Sequence, residues 1–174
     1  EIDRRIQAAI LERMDHVFAL SSGIQQLIVK AQVPPDLEEA IMAAYRDLEQ
    51  KAHPGATVSL RSSALGEDDA GLSFAGQYRS QLNVNAEHLV DSYREIVASK
   101  YSLQAIHYRL SRGIRDEDVA MCVGCMAMVD AVAGGVTYTR NALNIRDQNI
   151  YITSVWGLPK SVVDGSTPAD LFVT

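Results

Sequence analysis

A run of small, hydroxyl and charged residues between two apolar segments holds the side chains best suited to chemistry in this chain. Arg61 follows the apolar run 58–60, and the loop after it carries glycines, serines and the acidic trio 67–69 before an alternating segment over 80–84. Glycines let backbone N–H groups turn toward an anion, and arginine can hold a phosphate through two hydrogen bonds. The pattern indicates a strand–loop–strand that binds nucleotide phosphates, with an ordinary surface hairpin as the alternative.

Composition limits the classes of function that are open to the chain. Of its 174 residues, 47% are hydrophobic and 22% are charged, which is typical of a globular protein. The formal net charge is −6, and no cluster of lysine and arginine stands out, so nucleic acid and anionic membranes are not expected partners. No apolar run is long enough to span a bilayer and no signal-peptide pattern opens the chain, so we expect a cytoplasmic location.

Helical periodicity precedes the loop and follows it. Apolar residues spaced by three and four predict a helix over about 2–30, interrupted near 21–23. A second helix is expected to be capped by Asp36 and to end at the sequence 53–55. After the loop, Asn85 is a candidate cap for a further helix, and another is expected over 102–112 with Gly113 as its stop signal.

The remaining segments are extended and rich in β-branched residues. Strands are expected over 119–129, 135–139 and 150–155, with another beginning at Leu171. Helices followed by turn-separated strands predict an α+β fold with a mainly antiparallel sheet. We expect residues 1–52 to form a helical segment and residues 53–174 to form the core.

Cysteine and histidine do not assemble into an evident reactive set. Cys122 and Cys125 form a single CxxC pair, and the four histidines are scattered, so the two further ligands that a zinc site needs are missing. A separation of three in a strand also places the two thiols on opposite faces. We interpret both as buried structural thiols without a metal, and the histidines as structural or surface residues, with His88 and His107 partly buried.

The order of short motifs along the chain is more specific than its composition. Residues 61–64 (RSSA), 67–68 (ED), 73–77 (SFAGQ) and 82–84 (LNV) together resemble a signature of the nucleotide-binding domain shared by phosphoenolpyruvate synthases and pyruvate phosphate dikinases, a relative of the ATP-grasp fold. The segments 101–113, 128–139 and 156–172 resemble later motifs of the same family. Several motifs in the family's order make the match specific, and it runs from about Pro35 to the last residue.

This resemblance implies roles for particular residues. Arg61 is implied to contact the nucleotide phosphates, with a catalytic as well as a binding role. Gly76, Gln77 and Ser80 are implied to form the turn that covers the phosphates, where the family usually has threonine at the position of Ser80. Met126 borders the base, in place of a glutamine that is frequent in the family. Glu67 and Asp68 match the family's acidic pair, and we expect them to order the loop.

One segment departs from the family pattern near the expected cleft. Residues 157–160 read Gly-Leu-Pro-Lys in place of Gly-Leu-Gly-Glu. The change removes a glycine with its freedom of dihedral angle and reverses a charge, so nucleotide affinity is expected to fall. Together with Met126 it keeps open a degenerate nucleotide-sensing or structural module as the alternative function, and an unrelated α+β interaction domain is a third possibility.

The resemblance also implies the reaction and its partners. ATP, with Mg²⁺, is expected to donate a pyrophosphoryl group to a histidine on another domain and to leave AMP, and pyruvate is the commonest final acceptor. The implied partners are ATP or AMP and the phosphohistidine and phosphoenolpyruvate/pyruvate domains of a parent chain. The metal ligands and an ATP-binding lysine are expected outside these residues, so the chain reads as a truncated ATP-grasp-like domain that does not complete the reaction alone.

Overall fold

Helices and strands alternate in groups along the chain. The computed structural model describes residues 14–65, 76, 78–141, 144 and 146–174. The elements in order are α1 Met14–Lys30, α2 Pro35–Ala52, β1 Val58–Ala64, β2 Ser80–Val84, α3 Leu89–Ser99, α4 Leu103–Arg112, β3 Met121–Ala127, β4 Ala133–Tyr138, β5 Tyr151–Trp156, α5 Lys160–Asp164 and β6 Asp170–Val173. The predicted α+β class with antiparallel sheets is confirmed. No described helix is both long enough and apolar enough to cross a membrane.

The chain divides into two compact units, residues 1–128 and residues 129–174. The first contains a three-stranded sheet in the order β2-β1-β3, and the second a three-stranded sheet in the order β4-β5-β6. The division at residue 128 falls within the range 53–174 that the sequence analysis assigned to the core. Helix α2 belongs with the first sheet because its Tyr45 is buried in one cluster with Val58 and Leu60 of β1.

One face of the first sheet forms the main core. Val58 and Leu60 are almost fully buried, and alternate residues of a strand share a face, so this face is apolar along β1. Helices α2 and α3 cover it with Tyr45, Leu89 and Ile96. Helices α2 and α3 do not cover the other face of the sheet, which carries polar side chains of β1.

Helix α1 is continuous through the sequence where an interruption was expected, so that prediction is wrong. Ser21 is buried at 3% exposure and donates a hydrogen bond of 2.7 Å to the carbonyl oxygen of Tyr101. The same helix packs Val17 and Ile24 against α4. Burial and a buried hydrogen bond outweigh the weak helix propensity of the Ser-Ser-Gly sequence.

The predicted signals at Asn85 and Gly113 are confirmed as helix boundaries. The Asn85 side chain accepts from the backbone N–H of His88, at the short turn Ala86–His88 that precedes α3. At α4 the side chain of Ser102 accepts from Ala105 N, and Gly113 closes the helix in the left-handed conformation. Helix α2 instead begins at Pro35 without a side-chain cap, so Asp36 lies in its first turn.

The second unit is a small antiparallel sheet. Strands β4 and β5 pair from Ala133 opposite Trp156 to Tyr138 opposite Tyr151, and β6 pairs with the other edge of β5. The strands expected over 135–139 and 150–155 are therefore present with bounds shifted by one or two residues. The helix α5 was not predicted, because its five residues are too few to show a helical period.

Candidate functional site

Arg61 lies in the middle of β1, the central strand of the first sheet. Its antiparallel partners are Ser80 on β2 and Gly124 on β3. Residues directly opposite each other in such a ladder have Cα atoms about 4.5–5.5 Å apart and side chains on one face. The fold thus brings Arg61 and Ser80, which the sequence separates by a long loop, next to each other.

The face of the first sheet that carries Arg61, here called the outer face, holds a distinct set of side chains. Because alternate residues of a strand share a face, the strand pairing assigns to it Ser59, Arg61, Ser63, Ser80, Cys122 and Met126. Met126 lies opposite Ser59, one step diagonally from Arg61. Three residues implied to form the nucleotide site, namely Arg61, Ser80 and Met126, therefore share one surface.

The outer face is open to solvent. Arg61, Ser63 and Ser80 are exposed, and Met126 is 48% exposed, whereas Ser59 is buried. Among the described residues, the side chain of Arg61 has no hydrogen-bond or ion-pair partner. Its guanidinium thus keeps a planar fork of N–H donors that matches the oxygens of a phosphate. An exposed, unpaired arginine among hydroxyl groups is suited to anion binding.

The expected phosphate-covering turn is described at Gly76 and at residues 78–80. Gly76 has a φ of +73°, a left-handed conformation that residues with a side chain rarely adopt. Gln77 and the acidic pair Glu67 and Asp68 lie outside the described residues. The positive φ explains why a glycine occupies position 76 in this motif, and the placement of Gln77 stays a prediction.

Both cysteines are exposed free thiols, so the expectation that they are buried is wrong. The reason is their strand: β3 is at an edge of the first sheet, which leaves its residues open to solvent. The expected opposite faces are confirmed, since Cys122 pairs with Ser63 of the outer face and Cys125 pairs with Leu60 of the core face. Although Cys125 is exposed as a residue, burial raises the pKa of its thiol.

An apolar cavity of about 230 Å³ explains the environment of Cys125. It lies between α2, α3 and the core face, where it is lined by Ile41, Ala44, Tyr45, Leu48, Leu60, Leu89, Tyr93, Val123 and Cys125. An apolar surrounding disfavours the thiolate, the reactive form of cysteine. The thiol of Cys122, on the outer face, is the one beside the candidate site.

The four histidines lie at the surface. All four are exposed, including His88 and His107, so the expected partial burial of those two is wrong. His107 lies on α4, whose buried face is made by Ala105, Ile106 and Arg109. Within the described residues, no three His, Cys, Asp or Glu side chains come together as a metal site would require.

The glycines of the second unit serve close approaches of the backbone. A Cβ on Gly134 would lie 2.7 Å from Cδ of Pro159 and 2.8 Å from the carbonyl oxygen of Gly157. A Cβ on Gly135 would overlap the carbonyl oxygen of Thr153 on β5. The Gly-Gly motif of β4 is therefore explained by packing within this unit.

The charge that departs from the family pattern is neutralised locally. Lys160 Nζ donates to the Asp164 carboxylate at 2.6 Å, one turn later on α5. This hydrogen bond, supported by the side chain and the backbone N–H of Ser166, lowers the pKa of the Asp164 carboxyl to about 2. Pro159 immediately precedes α5, where a fixed φ suits a helix start. The substituted pair thus has a structural role in the second unit.

A polar cluster in the loop between β4 and β5 was missed by the sequence analysis. Tyr151 donates to Asp147, and the amide of Asn141 donates to the same carboxylate at 3.0 Å. These bonds, that from Tyr151 first, lower the pKa of the Asp147 carboxyl, and the bond to Asp147 raises the pKa of the Tyr151 hydroxyl. These hydrogen bonds join Asn141, Asp147 and Tyr151. Their spacing follows neither a helical nor a strand period, so the sequence pattern does not predict them.

Comparison with known proteins places these features in context. The model of the family "Pyruvate phosphate dikinase, AMP/ATP-binding domain" matches residues 1–174. The chain is 38% identical over 156 residues to the phosphoenolpyruvate synthase of Helicobacter pylori, covering 87% of this chain and 19% of the relative. It is 36% identical over 155 residues to the probable phosphoenolpyruvate synthase of Methanocaldococcus jannaschii, covering 88% of this chain and 13% of the relative.

The alignment with a third relative covers almost the whole of the present chain. The phosphoenolpyruvate synthase of Neisseria meningitidis is 33% identical over 180 residues, which cover 98% of this chain and 22% of the relative. The chain thus spans between 13% and 22% of the length of these three curated relatives.

Proposed function

This chain belongs to the pyruvate phosphate dikinase AMP/ATP-binding domain family, and we propose from that premise that its outer face binds the phosphates of ATP in a dikinase-type phosphotransferase. The observation that carries the proposal is the strand register, which sets Arg61 directly opposite Ser80 and diagonal to Met126. The three residues come from three different strands, so the fold and not the local sequence brings them together.

Arg61 is proposed as the main phosphate ligand. Its guanidinium is exposed and has no partner among the described residues, so no ion pair with them has to be broken when a nucleotide binds. A fixed positive charge at the phosphates also stabilises the charge that spreads over the transferred group, which is the catalytic part of its role. Ser80 adds a hydroxyl donor beside it, and the turn from Gly76, with Gln77, adds backbone N–H groups.

Met126 is proposed to contact the base. Met126 is 48% exposed on the outer face, so its thioether offers a polarisable surface on which adenine can pack. A thioether cannot donate the amide hydrogen bond that glutamine supplies at this position in the family pattern. Base recognition at Met126 is therefore proposed to rest on packing.

Mg²⁺ enters the proposal only as a companion of the nucleotide. Among the described residues no three metal-ligating side chains come together, and Mg²⁺ is usually held by one or two carboxylates together with the substrate phosphates. We assign its protein ligands to other parts of the parent protein and derive no step through a metal held by this chain. An ATP-grasp-like fold and a cytoplasmic location remain proposals on the same family basis.

For the whole protein we propose the reaction of a phosphoenolpyruvate synthase, the name that the three relatives carry. A histidine nitrogen on another domain attacks the β-phosphorus of ATP, the bond between the β-phosphorus and the oxygen of the α-phosphate breaks, and AMP leaves. Water then releases the terminal phosphate from the pyrophosphorylated histidine, and pyruvate is the proposed final acceptor of the phosphoryl group that remains, handled by a further domain. The alternative of a module without catalysis is not favoured by these relatives.

The test is calorimetric titration of the full-length protein with ATP and Mg²⁺. Arg61→Ala should weaken ATP binding about 10- to 100-fold, because each charge-assisted phosphate contact contributes roughly 1.5–3 kcal/mol. Arg46→Ala is the matched control: Arg46 is also an exposed arginine, but it lies on α2, which covers the core face. Equal affinities for the Arg61 and Arg46 variants would contradict the proposed site.

A further inference from the structure

The turn that leads into β2 is anchored to the last residue of α3. The backbone N–H of Arg79 donates a hydrogen bond of 3.1 Å to Oγ of Ser99. Ser99 itself is 6% exposed, so the bond lies at the edge of the protein interior. The backbone N–H of Arg79 is thus already occupied and is not available to a bound phosphate.

The Ser99 hydroxyl has only one way to make this contact. It donates its single proton to the carbonyl oxygen of Ile96 at 2.6 Å, so toward Arg79 it can act only as an acceptor. The orientation of the hydroxyl is therefore fixed by the helix before the turn is added. A fixed acceptor holds the turn in one position better than a freely rotating one would.

A second anchor lies one helical turn earlier. Glu95 accepts from the guanidinium of Arg79 at 2.9 Å and from the side-chain amide of Gln81 at 2.7 Å. The two residues that flank Ser80 are thus both held on the side of α3. Because alternate residues of an extended chain point to opposite sides, Ser80 is left facing Arg61 on the outer face.

We propose that Ser99 and Glu95 are positioning residues for the nucleotide site, although α3 covers the opposite face of the sheet. They act through Arg79 and Gln81, and they fix the start of β2 at Ser80 against Arg61. This inference rests on the proposed function of the outer face. It adds to that function a set of contacts on α3 that touch no nucleotide and yet set the affinity for it.

The chain provides a closely matched control for testing Ser99. Ser92 also lies on α3 and is equally buried at 6% exposure, but the contacts that hold the turn come from Ser99 and Glu95. Ser99→Ala, Ser92→Ala and Ser99→Thr are compared in the full-length protein. The readouts are the Kd for ATP with Mg²⁺, the melting temperature, and hydrogen exchange of the amides at residues 78–80.

Ser99→Ala should raise the Kd about fivefold to tenfold, the loss expected for a contact worth one ordinary hydrogen bond. It should also speed amide exchange at residues 78–80, whereas Ser92→Ala should leave both the Kd and this exchange unchanged at a comparable melting temperature. Ser99→Thr keeps the hydroxyl and should restore the affinity. If Ser99→Ala does not fold, Glu95→Ala serves instead, and it should raise the Kd by a smaller factor because this carboxylate is 40% exposed.

Two results would overturn the inference and leave the proposed function intact, provided that Arg61→Ala still weakens ATP binding. One is an unchanged Kd for ATP in both Ser99→Ala and Glu95→Ala. The other is an equal loss of ATP affinity in Ser99→Ala and Ser92→Ala. A different result would overturn both. If the unsubstituted protein does not bind ATP, or if Arg61→Ala binds it normally, the outer face is not the phosphate site and nothing remains for α3 to position.

Discussion

Arg61 of β1 stands directly opposite Ser80 of β2, and both side chains lie on the outer face of the first sheet. The pairing links the middle of β1 to the first residue of β2, two positions that lie far apart in the sequence. Residues directly opposite each other have Cα atoms about 4.5–5.5 Å apart, so the arginine fork and the hydroxyl lie close enough to bind one phosphate.

The geometry of the guanidinium, and not only its charge, should matter at residue 61. Arg61→Lys keeps the positive charge but replaces a planar fork by a single ammonium group, so bidentate contact with a phosphate is lost. We expect AMP formation by the full-length protein to fall nearly as far as in Arg61→Ala, with the melting temperature unchanged because the side chain is exposed. A lysine variant with the activity of the unsubstituted protein would show that charge alone is sufficient.

Asp116 should be important for the stability of the first unit. Its carboxylate is paired with Lys100 at 3.2 Å and with Arg109 at 3.2 Å, and it accepts from the hydroxyl of Tyr101 at 2.9 Å. All of these groups are largely buried, so Asp116→Asn leaves two buried cations without a counter-charge. We expect a loss of roughly 3–5 kcal/mol in the free energy of unfolding, measured with urea.

A nearby carboxylate gives the control for this experiment. Asp118 forms an ion pair with Arg115 at 2.7 Å, but the two side chains are 47% and 69% exposed. Exposed ion pairs contribute little to stability because solvent screens them. Asp118→Asn should therefore leave the unfolding midpoint nearly unchanged, and a loss equal to that of Asp116→Asn would contradict the assigned importance of burial.

Two glycines in strands should differ sharply in their tolerance of a methyl group. A Cβ on Gly135 would overlap the backbone carbonyl of Thr153, whereas the nearest atom to a Cβ on Gly124 is the carbonyl oxygen of Arg61 at an ordinary 3.8 Å. Gly135→Ala should cost about 1–3 kcal/mol of stability through strain in the paired strands. Gly124→Ala should fold normally, and equal urea midpoints for the two variants would exclude the close approach.

The ion pair on α5 should be visible in the titration of Asp164. Lys160 lowers the pKa of this carboxyl from 3.8 to about 2, so the folded state favours the ionised form. Its contribution to stability is therefore present above pH 3.8 and is lost as the pH falls through 2. NMR titration of Lys160→Gln should show a raised Asp164 pKa, and an unchanged value would mean that the pairing does not persist in solution.

The sequence predicted the fold class, most strands and several helix ends, because these depend on residues close together in the chain. Asn85, Ser102 and Gly113 show this, since each acts within a few residues of its own position. The predicted break in α1 failed because Ser21 bonds to Tyr101, which is remote in sequence. Local propensity cannot register a stabilising contact of that kind.

The candidate site shows the same division. The motif order pointed to Arg61, Gly76 and Ser80, but periodicity did not reveal that Ser99 would accept a hydrogen bond from Arg79. The burial of the cysteines was predicted wrongly for a related reason. An apolar strand sequence does not tell whether its strand will lie in the centre or, like β3, at the edge of a sheet.

The alkylation rates of the two native cysteines can report on which face of the first sheet binds ATP. Cys122 lies on the outer face beside Arg61, and Cys125 lies on the core face of the same strand, where burial raises its pKa. In the full-length protein, ATP with Mg²⁺ should slow alkylation of Cys122 and leave the slower alkylation of Cys125 unchanged, and Arg61→Ala should abolish this protection. Alkylation of Cys122 at the same rate with and without saturating ATP would contradict the assignment of the outer face as the nucleotide site.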